Sequence, residues 1–378
     1  MSSIQRLPPE YQLQGPLATT EMWNGSTILT ALGIAEKIRE TFNATIYEAD
    51  WLNNSTSVME QKLKNMTLAI GFPDNILNTT YLDGLYEHVP RFSANTTLFE
   101  MLYHFKQNTY WKQLALLRVP RQRDRWVPGA INVGAFYSPV NNQMEIPWAM
   151  LHAPFFQSGL PRSLNFGALG GLMAHEMLHA FDASAMRKIK GPSSIELDPN
   201  ATAAFEDKIK CFFSQYKNAT KTLWKNINAT HFEDSQEDFD KNQFEGRFRK
   251  LAEEMKLLFN GVKYARTLDD DIVDNGGLQT AFMAYSKVLE NECDGIDTRL
   301  QGMDHFSGRQ LFFVSWASTF CRNVTKEGIL RQIENDAHSP EQLRVNLALR
   351  NFPPFAEAFS CSNTSYMNPP DTERCTLW

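Results

Sequence analysis

The stretch MAHEMLHAFD, residues 173–182, constrains this chain more tightly than any other. His175 and His179 lie four apart with Glu176 between them, inside SLNFGALGGLMAHEMLHAFDA, whose apolar spacing predicts a helix. Residues i and i+4 of a helix share one face, so both imidazoles can reach one cation. Zinc suits that pair because it accepts neutral imidazole nitrogens in a tetrahedral shell. Glu176 projects beside the same face, where its carboxylate can take a proton from water without ligating the metal itself. A zinc that does chemistry keeps a third protein ligand and one open position.

Downstream, TLDDDIVDNGGLQTAF offers that ligand, with Asp270 and Asp274 again at i and i+4. One carboxylate can bind the metal while the other accepts the free N–H of a ligand histidine and fixes its tautomer. The competing reading is a solvated helix N-terminus, because Asp269, Asp270 and Asp271 run together and the helix dipole favours them there. His88, His104, His152, His231 and His305 have no metal-ligand spacing and read as surface or packed residues.

The remaining chain sets the context. Its 378 residues, 43% hydrophobic, suffice for one large domain or two medium ones. A net charge of −6 without a basic run argues against a nucleic-acid partner. No apolar run reaches the roughly 18–20 residues of a membrane span. The N-terminal MSSIQRLPPEYQLQGPLATT lacks the charged-then-apolar order of a signal peptide. Yet Asn-x-Ser/Thr occurs at Asn24, Asn43, Asn53, Asn54, Asn65, Asn78, Asn95, Asn200, Asn218, Asn228, Asn323 and Asn363, which points to the secretory pathway. Together these lead to the expectation that an N-terminal part is missing from this chain. Five cysteines leave at least one thiol unpaired or paired elsewhere.

Periodicity predicts a mainly α chain with a small β element. Residues 30–70 read as helical until GFPDN, and TLFEMLYHFKQNTYWKQLALL reads as a helix ended before Pro120. AINVGAFYS and NNQMEIP read as a short hairpin or edge strands. Residues 200–260 read as charged helix, DDDIVDNGGLQTAFMAYSKVLE as a helix interrupted at Gly-Gly, and GRQLFFVSWASTFC as an apolar helix.

Several segments occur in an order that belongs to one family: AFYSP (135–139), APFF (153–156), HEMLHAFD (175–182), DNGGLQTAF (274–282), HSPEQLRVN (338–346), FAEAFSC (355–361), SYMNP (365–369) and the terminal CTLW. With them the chain resembles the C-terminal half of the neprilysin-type zinc metallopeptidases, the family of neprilysin and endothelin-converting enzyme. The likeness extends weakly back to IAEKIRETF and IGFPD. It implies a zincin, thermolysin-like catalytic domain over 99–378, with 1–98 a remnant of the family's N-terminal helical domain. It implies one zinc per chain, an extracellular or secretory-pathway location, and hydrolysis of short peptides on the amino side of hydrophobic residues.

By position, the resemblance makes His175, His179 and Asp270 the metal ligands, Glu176 the general base and Asp274 the carboxylate that orients a ligand histidine. His338 matches the histidine that stabilises the developing oxyanion, and Arg344 an arginine that binds substrate backbone. The GAFY segment, with Gly134 and Ala135, matches the edge that pairs with extended peptide. Met150, Phe155, Leu172 and Phe320 fall where the family lines the pocket for the residue after the cut bond. Cys211 with Cys375 is the disulfide it implies, whereas Cys321 and Cys361 match positions whose partners lie outside this chain; Cys293 matches none.

Two positions depart from the pattern. Asp270 stands where the family has glutamate, and its carboxylate reaches roughly 1.3–1.5 Å less far. Gly134 replaces a substrate-binding asparagine and removes its side-chain hydrogen bonds. These departures favour the alternative of a catalytically weakened or inactive peptide-binding homologue.

Overall fold

A computed structural model describes residues 25–119, 132–187, 196–231, 266–296 and 298–378. In chain order its main elements are α1 (Gly25–Glu48), α2 (Thr56–Lys64), β1 (Thr67–Gly71), α3 (Thr79–Leu85), α4 (Leu98–Leu116), β2 (Phe136–Ser138), β3 (Gln143–Pro147), α5 (Arg162–Asn165), α6 (Gly171–Leu178), α7 (Ala183–Arg187), α8 (Pro199–His231), α9 (Leu268–Glu292), α10 (Gly308–Ser318), α11 (Lys326–Asn335), α12 (Glu341–Asn351) and α13 (Pro353–Ala358). The architecture is thus mainly helical with one small sheet. Among the described residues no helix is long and apolar enough to cross a membrane.

Contacts divide the chain into two units. The first holds the described residues up to Gly33 and those of Thr67–Ala153; the second holds Ile34–Met66 and Pro154–Trp378. The first unit carries the sheet, in the order β1-β3-β2. β3 is buried along its whole length, runs parallel to β1 and pairs antiparallel with β2, Tyr137 opposite Met144. β2 and β3 form the expected hairpin, and β2 is an edge strand. β1 corrects the reading of residues 30–70 as helix throughout. TLAIG is too short and too uniformly apolar for periodicity to separate strand from helix, and pairing with β3 decides for strand. In the same unit α4 opens on a capping box, the Thr97 hydroxyl accepting from the Glu100 N–H and the Glu100 carboxylate from the Thr97 N–H.

The second unit is helical. Its core gathers Phe282, Tyr285, Phe312 and Phe313, with Phe282 and Phe313 stacked at 5.0 Å and the half-buried Phe352 5.4 Å from Phe282. A second aromatic group surrounds the Trp378 ring, which lies 5.1 Å from Phe42 and 5.5 Å from Trp51. α9 runs unbroken from Leu268 to Glu292, so Gly276-Gly277 does not interrupt it as its composition suggested. Those glycines are held helical by packing: a Cβ on Gly276 would come 2.5 Å from Leu178, and one on Gly277 2.9 Å from the His175 nitrogen. α9 and α6 therefore touch backbone to backbone. The Asp269–Asp271 run is not a solvated helix start, since Asp270 and Asp271 are buried within this contact. The helical reading of 200–260 holds over α8; its remainder from 232 lies outside the described residues.

Candidate metal centre

α5 passes through a π-helical turn, Phe166–Gly170, into α6, and a 3₁₀ turn, His179–Phe181, follows it. His179 keeps helical angles, φ −59° and ψ −19°, so the i, i+4 relation to His175 survives the change of helix type. The two rings meet nearly at right angles, 88°, with their Nε2 atoms 3.2 Å apart.

α9 brings the third donor. Asp270 Oδ1 lies 3.5 Å from His175 Nε2 and 3.7 Å from His179 Nε2. A tetrahedral zinc with bonds near 2.0–2.2 Å separates its ligand atoms by about 3.3–3.5 Å. The three atoms are 3.2, 3.5 and 3.7 Å apart, close to that spacing, and among the described residues they form a group of side chains that could hold a metal ion. The donor set, two imidazoles and one carboxylate, is zinc-like. The backbone contact at Gly277 brings α9 close enough for a side chain as short as aspartate to reach.

Each of the two histidines has a carboxylate on its far side. His175 Nδ1 lies 2.8 Å from Asp274 Oδ1, and His179 Nδ1 lies 2.9 Å from Asp182 Oδ2. With a carboxylate facing Nδ1, the proton belongs there and the Nε2 lone pair is left for the metal position. Asp182 escaped the sequence reading although HEMLHAFD contains it. Its signal was a carboxylate three residues beyond a ligand, one helical turn away. Arg344 grips Asp274 in turn, Nε donating to Oδ2 at 2.6 Å and Nη2 to Oδ1 at 2.7 Å. The same guanidinium lies over the Phe320 ring, 4.7 Å from its centre. His338 Nε2 stands 3.4 Å from Asp270 Oδ1, and its Nδ1 lies 2.8 Å from Asp336.

The electrostatics favour a cation here. Burial opposes charge on His175, but Asp270 and Asp274 outweigh it and hold its pKa above the ordinary value. His179 behaves likewise, burial being overcome by Asp182, Asp270 and Glu176, and is raised further. Asp270 is held far below the usual carboxylate range: burial raises it, and the two histidines more than reverse that. Asp274 is lowered too, its burial outweighed chiefly by Arg344. Burial and the neighbouring Asp182 push Asp269 up to about 6, against hydrogen bonds from Ser184. Without a metal the pocket attracts protons; a divalent cation answers the same excess of carboxylate. Glu176, 7% exposed, makes no hydrogen bond or ion pair among the described residues.

The other expected site residues divide between the units. Leu172 sits on α6 one turn before Glu176, half-buried. Phe155 is half-buried, and its carbonyl accepts from the Leu169 N–H at 3.1 Å. In the first unit the Gly134 N–H donates to Met150 Sδ at 3.1 Å, and Gly134 and Ala135 lead directly into the edge strand β2. The expected disulfide is present between Cys211 and Cys375, their Cα atoms 5.6 Å apart, while Cys293, Cys321 and Cys361 are free thiols.

Comparison with known proteins places this geometry in company. The model of Peptidase family M13 matches residues 134–236 and 223–375. Membrane metallo-endopeptidase-like 1 of Mus musculus is 32% identical over 358 residues, covering 92% of this chain and 41% of that protein. Neprilysin-1 of Caenorhabditis elegans is 30% identical over 370 residues, covering 96% of this chain and 44% of that protein. The chain therefore spans about two fifths of the length of the curated relatives it matches. Among solved structures, the Mycobacterium tuberculosis zinc metalloprotease Zmp1 in complex with an inhibitor shares the fold at a TM-score of 0.69 and 22% identity, over 96% of this chain and 49% of that one. A Haemonchus galactose-containing glycoprotein complex does so at 0.74 and 20%, over 98% and 54%.

Proposed function

The chain belongs to peptidase family M13, and from that premise we propose that it is a zinc-dependent metalloendopeptidase hydrolysing short peptides on the amino side of hydrophobic residues. The observation that carries the proposal is the triad of His175 Nε2, His179 Nε2 and Asp270 Oδ1 at zinc-ligand spacing, with the uncommitted carboxylate of Glu176 beside it.

Zinc held by His175, His179 and Asp270 would supply Lewis acidity for a water molecule and a peptide carbonyl. Glu176 takes the proton from the attacking water and delivers it to the departing amine. With its Nδ1–H held by Asp336, His338 donates from Nε2 to the oxygen that gains charge when it acts as the imidazolium, a role consistent with its place beside Asp270. Asp274 and Asp182 keep the ligand histidines in the tautomer that presents Nε2. Arg344 holds Asp274 and offers its remaining N–H to substrate backbone. The family pattern assigns extended-peptide pairing to Gly134 and Ala135 and the hydrophobic pocket to Met150, Phe155, Leu172 and Phe320. We take residues 99–378 as the catalytic domain and 1–98 as part of the family's helical domain. Location outside the cell or in the secretory pathway follows from the Asn-x-Ser/Thr sites and the Cys211–Cys375 disulfide.

A short quenched peptide carrying Phe or Leu tests the reading, with protein from a secretory host, a chelated sample and Glu176→Gln alongside. Cleavage lost in both controls supports it. Folded, zinc-loaded protein that cleaves nothing would leave the second reading, a peptide-binding homologue, which the loss of the asparagine at Gly134 favours.

A further inference from the structure

α12 carries Arg344 and, two turns later, Asn351, so both face α9. Arg344 meets Asp274 there, and Asn351 meets the next residue, Asn275. The Asn351 side chain has every hydrogen-bonding valence filled. Its Nδ2 donates to Asn275 Oδ1 at 2.8 Å and to Gln215 Oε1 at 2.8 Å. Its Oδ1 accepts from Gln215 Nε2 at 2.9 Å and from the Cys375 N–H at 3.1 Å. An amide side chain has two donors and two acceptor sites, and none is left over. Asn275 is tied as firmly: its Nδ2 donates to Tyr216 Oη at 2.8 Å and to the Asp271 carbonyl at 2.7 Å. Asn351, Asn275 and Tyr216 are 5%, 8% and 3% exposed.

This network joins four segments: α8 through Gln215 and Tyr216, α9 through Asn275, α12 through Asn351, and the C-terminal segment through Cys375. The disulfide adds a covalent link between two of them, because Cys211 lies one helical turn before Gln215 on α8. Buried polar groups so fully paired admit one register between the helices, since a slip leaves several of them unsatisfied. The register of α12 on α9 sets where the Arg344 guanidinium meets Asp274, and Asp274 in turn faces His175 Nδ1.

We propose that Asn351 is a positioning residue for the metal centre, its saturated contacts with Asn275, Gln215 and Cys375 fixing the α9–α12 register that aligns Arg344, Asp274 and His175. It touches neither metal nor substrate and acts through Asp274. The inference rests on the reading that His175, His179 and Asp270 hold zinc.

Asn351→Asp keeps the shape and removes both donors. It is measured for zinc affinity by chelator competition, for the visible spectrum of the cobalt-loaded protein, and for thermal stability. We expect zinc to bind about 10-fold more weakly, in the range for loss of an outer support, and the cobalt spectrum to change. In an Arg344→Gln background the same substitution should weaken zinc little further, because the route to the metal is already cut. Should Asn351→Asp fail to fold, Gln215→Ala removes two of the four bonds at a half-buried position, and a smaller loss in the same direction is expected. A folded variant with wild-type zinc affinity and an unchanged cobalt spectrum would overturn the positioning role and leave the peptidase reading intact. Full additivity with Arg344→Gln would overturn the route through Asp274. A wild-type chain that binds no zinc would overturn both the peptidase reading and this inference.

Discussion

Gly277 faces the backbone of His175 with no room for a side chain: a Cβ would stand 2.9 Å from the His175 nitrogen and 3.1 Å from its Cα. Both are main-chain atoms of a buried helix, so neither yields as a flexible side chain would. α6 and α9, which carry the proposed ligands His175 and Asp270, meet at this point. Gly277→Ala should separate them, lowering stability by about 1–3 kcal/mol as overpacking does and weakening zinc with it. Thermal melts and zinc titration of the variant check this; wild-type values in both would mean that the contact has slack.

Asp270 bears on whether a short carboxylate handicaps the site. Its oxygen already stands at ligand spacing from both histidines. Asp270→Ala should weaken zinc more than about 100-fold, beyond the loss expected for an outer support. Asp270→Glu should bind zinc no more tightly than the wild type, because the added methylene must be folded away in a packed contact. Tighter binding by the glutamate variant would show that the aspartate falls short.

His338 is the group assigned to charge stabilisation, so its loss should appear in turnover rather than in binding. His338→Gln should lower kcat by about 10²–10³, the scale for one oxyanion donor, with a smaller change in KM and retained zinc. Steady-state kinetics beside a zinc titration separate this from a metal defect. A fall in zinc affinity matching the fall in rate would make His338 a support of Asp270 instead.

The Cys211–Cys375 bond closes a loop of 164 residues in sequence separation. Replacing both cysteines by serine should cost about 2–5 kcal/mol, read as a lower denaturant midpoint. The Cys375 N–H also supports Asn351, so zinc affinity should fall in the same variant. A loss of stability with unaltered zinc binding would separate the disulfide from the metal centre.

The site was legible in the sequence wherever its logic is local. His175 and His179 share a face through helical period alone, and so do Asp270 and Asp274. The reach of Asp270 was not legible, because it depends on how closely α9 approaches α6. Gly276-Gly277 looked like a break for the same reason: low helix propensity marks an interruption when the chain is read alone, whereas here it marks a contact. TLAIG became a strand only because β3 offered it a partner. Asn351 carried no signal whatever, since the three partners of its four hydrogen bonds come from positions scattered from Gln215 to Cys375.

Of the proposed ligands, His175 lies on α6, His179 on the 3₁₀ turn after it and Asp270 on α9, far along the chain, so the unfolded polypeptide has no complete site to offer. Any ion that binds only the folded form draws the folding equilibrium toward it by mass action, by about 4 kcal/mol at a thousandfold excess over Kd. If His175, His179 and Asp270 hold zinc as proposed, the metal is a clasp as well as a reagent. Chelating buffer should then withdraw part of the protein's stability along with its chemistry, and the two losses should return together when zinc is restored.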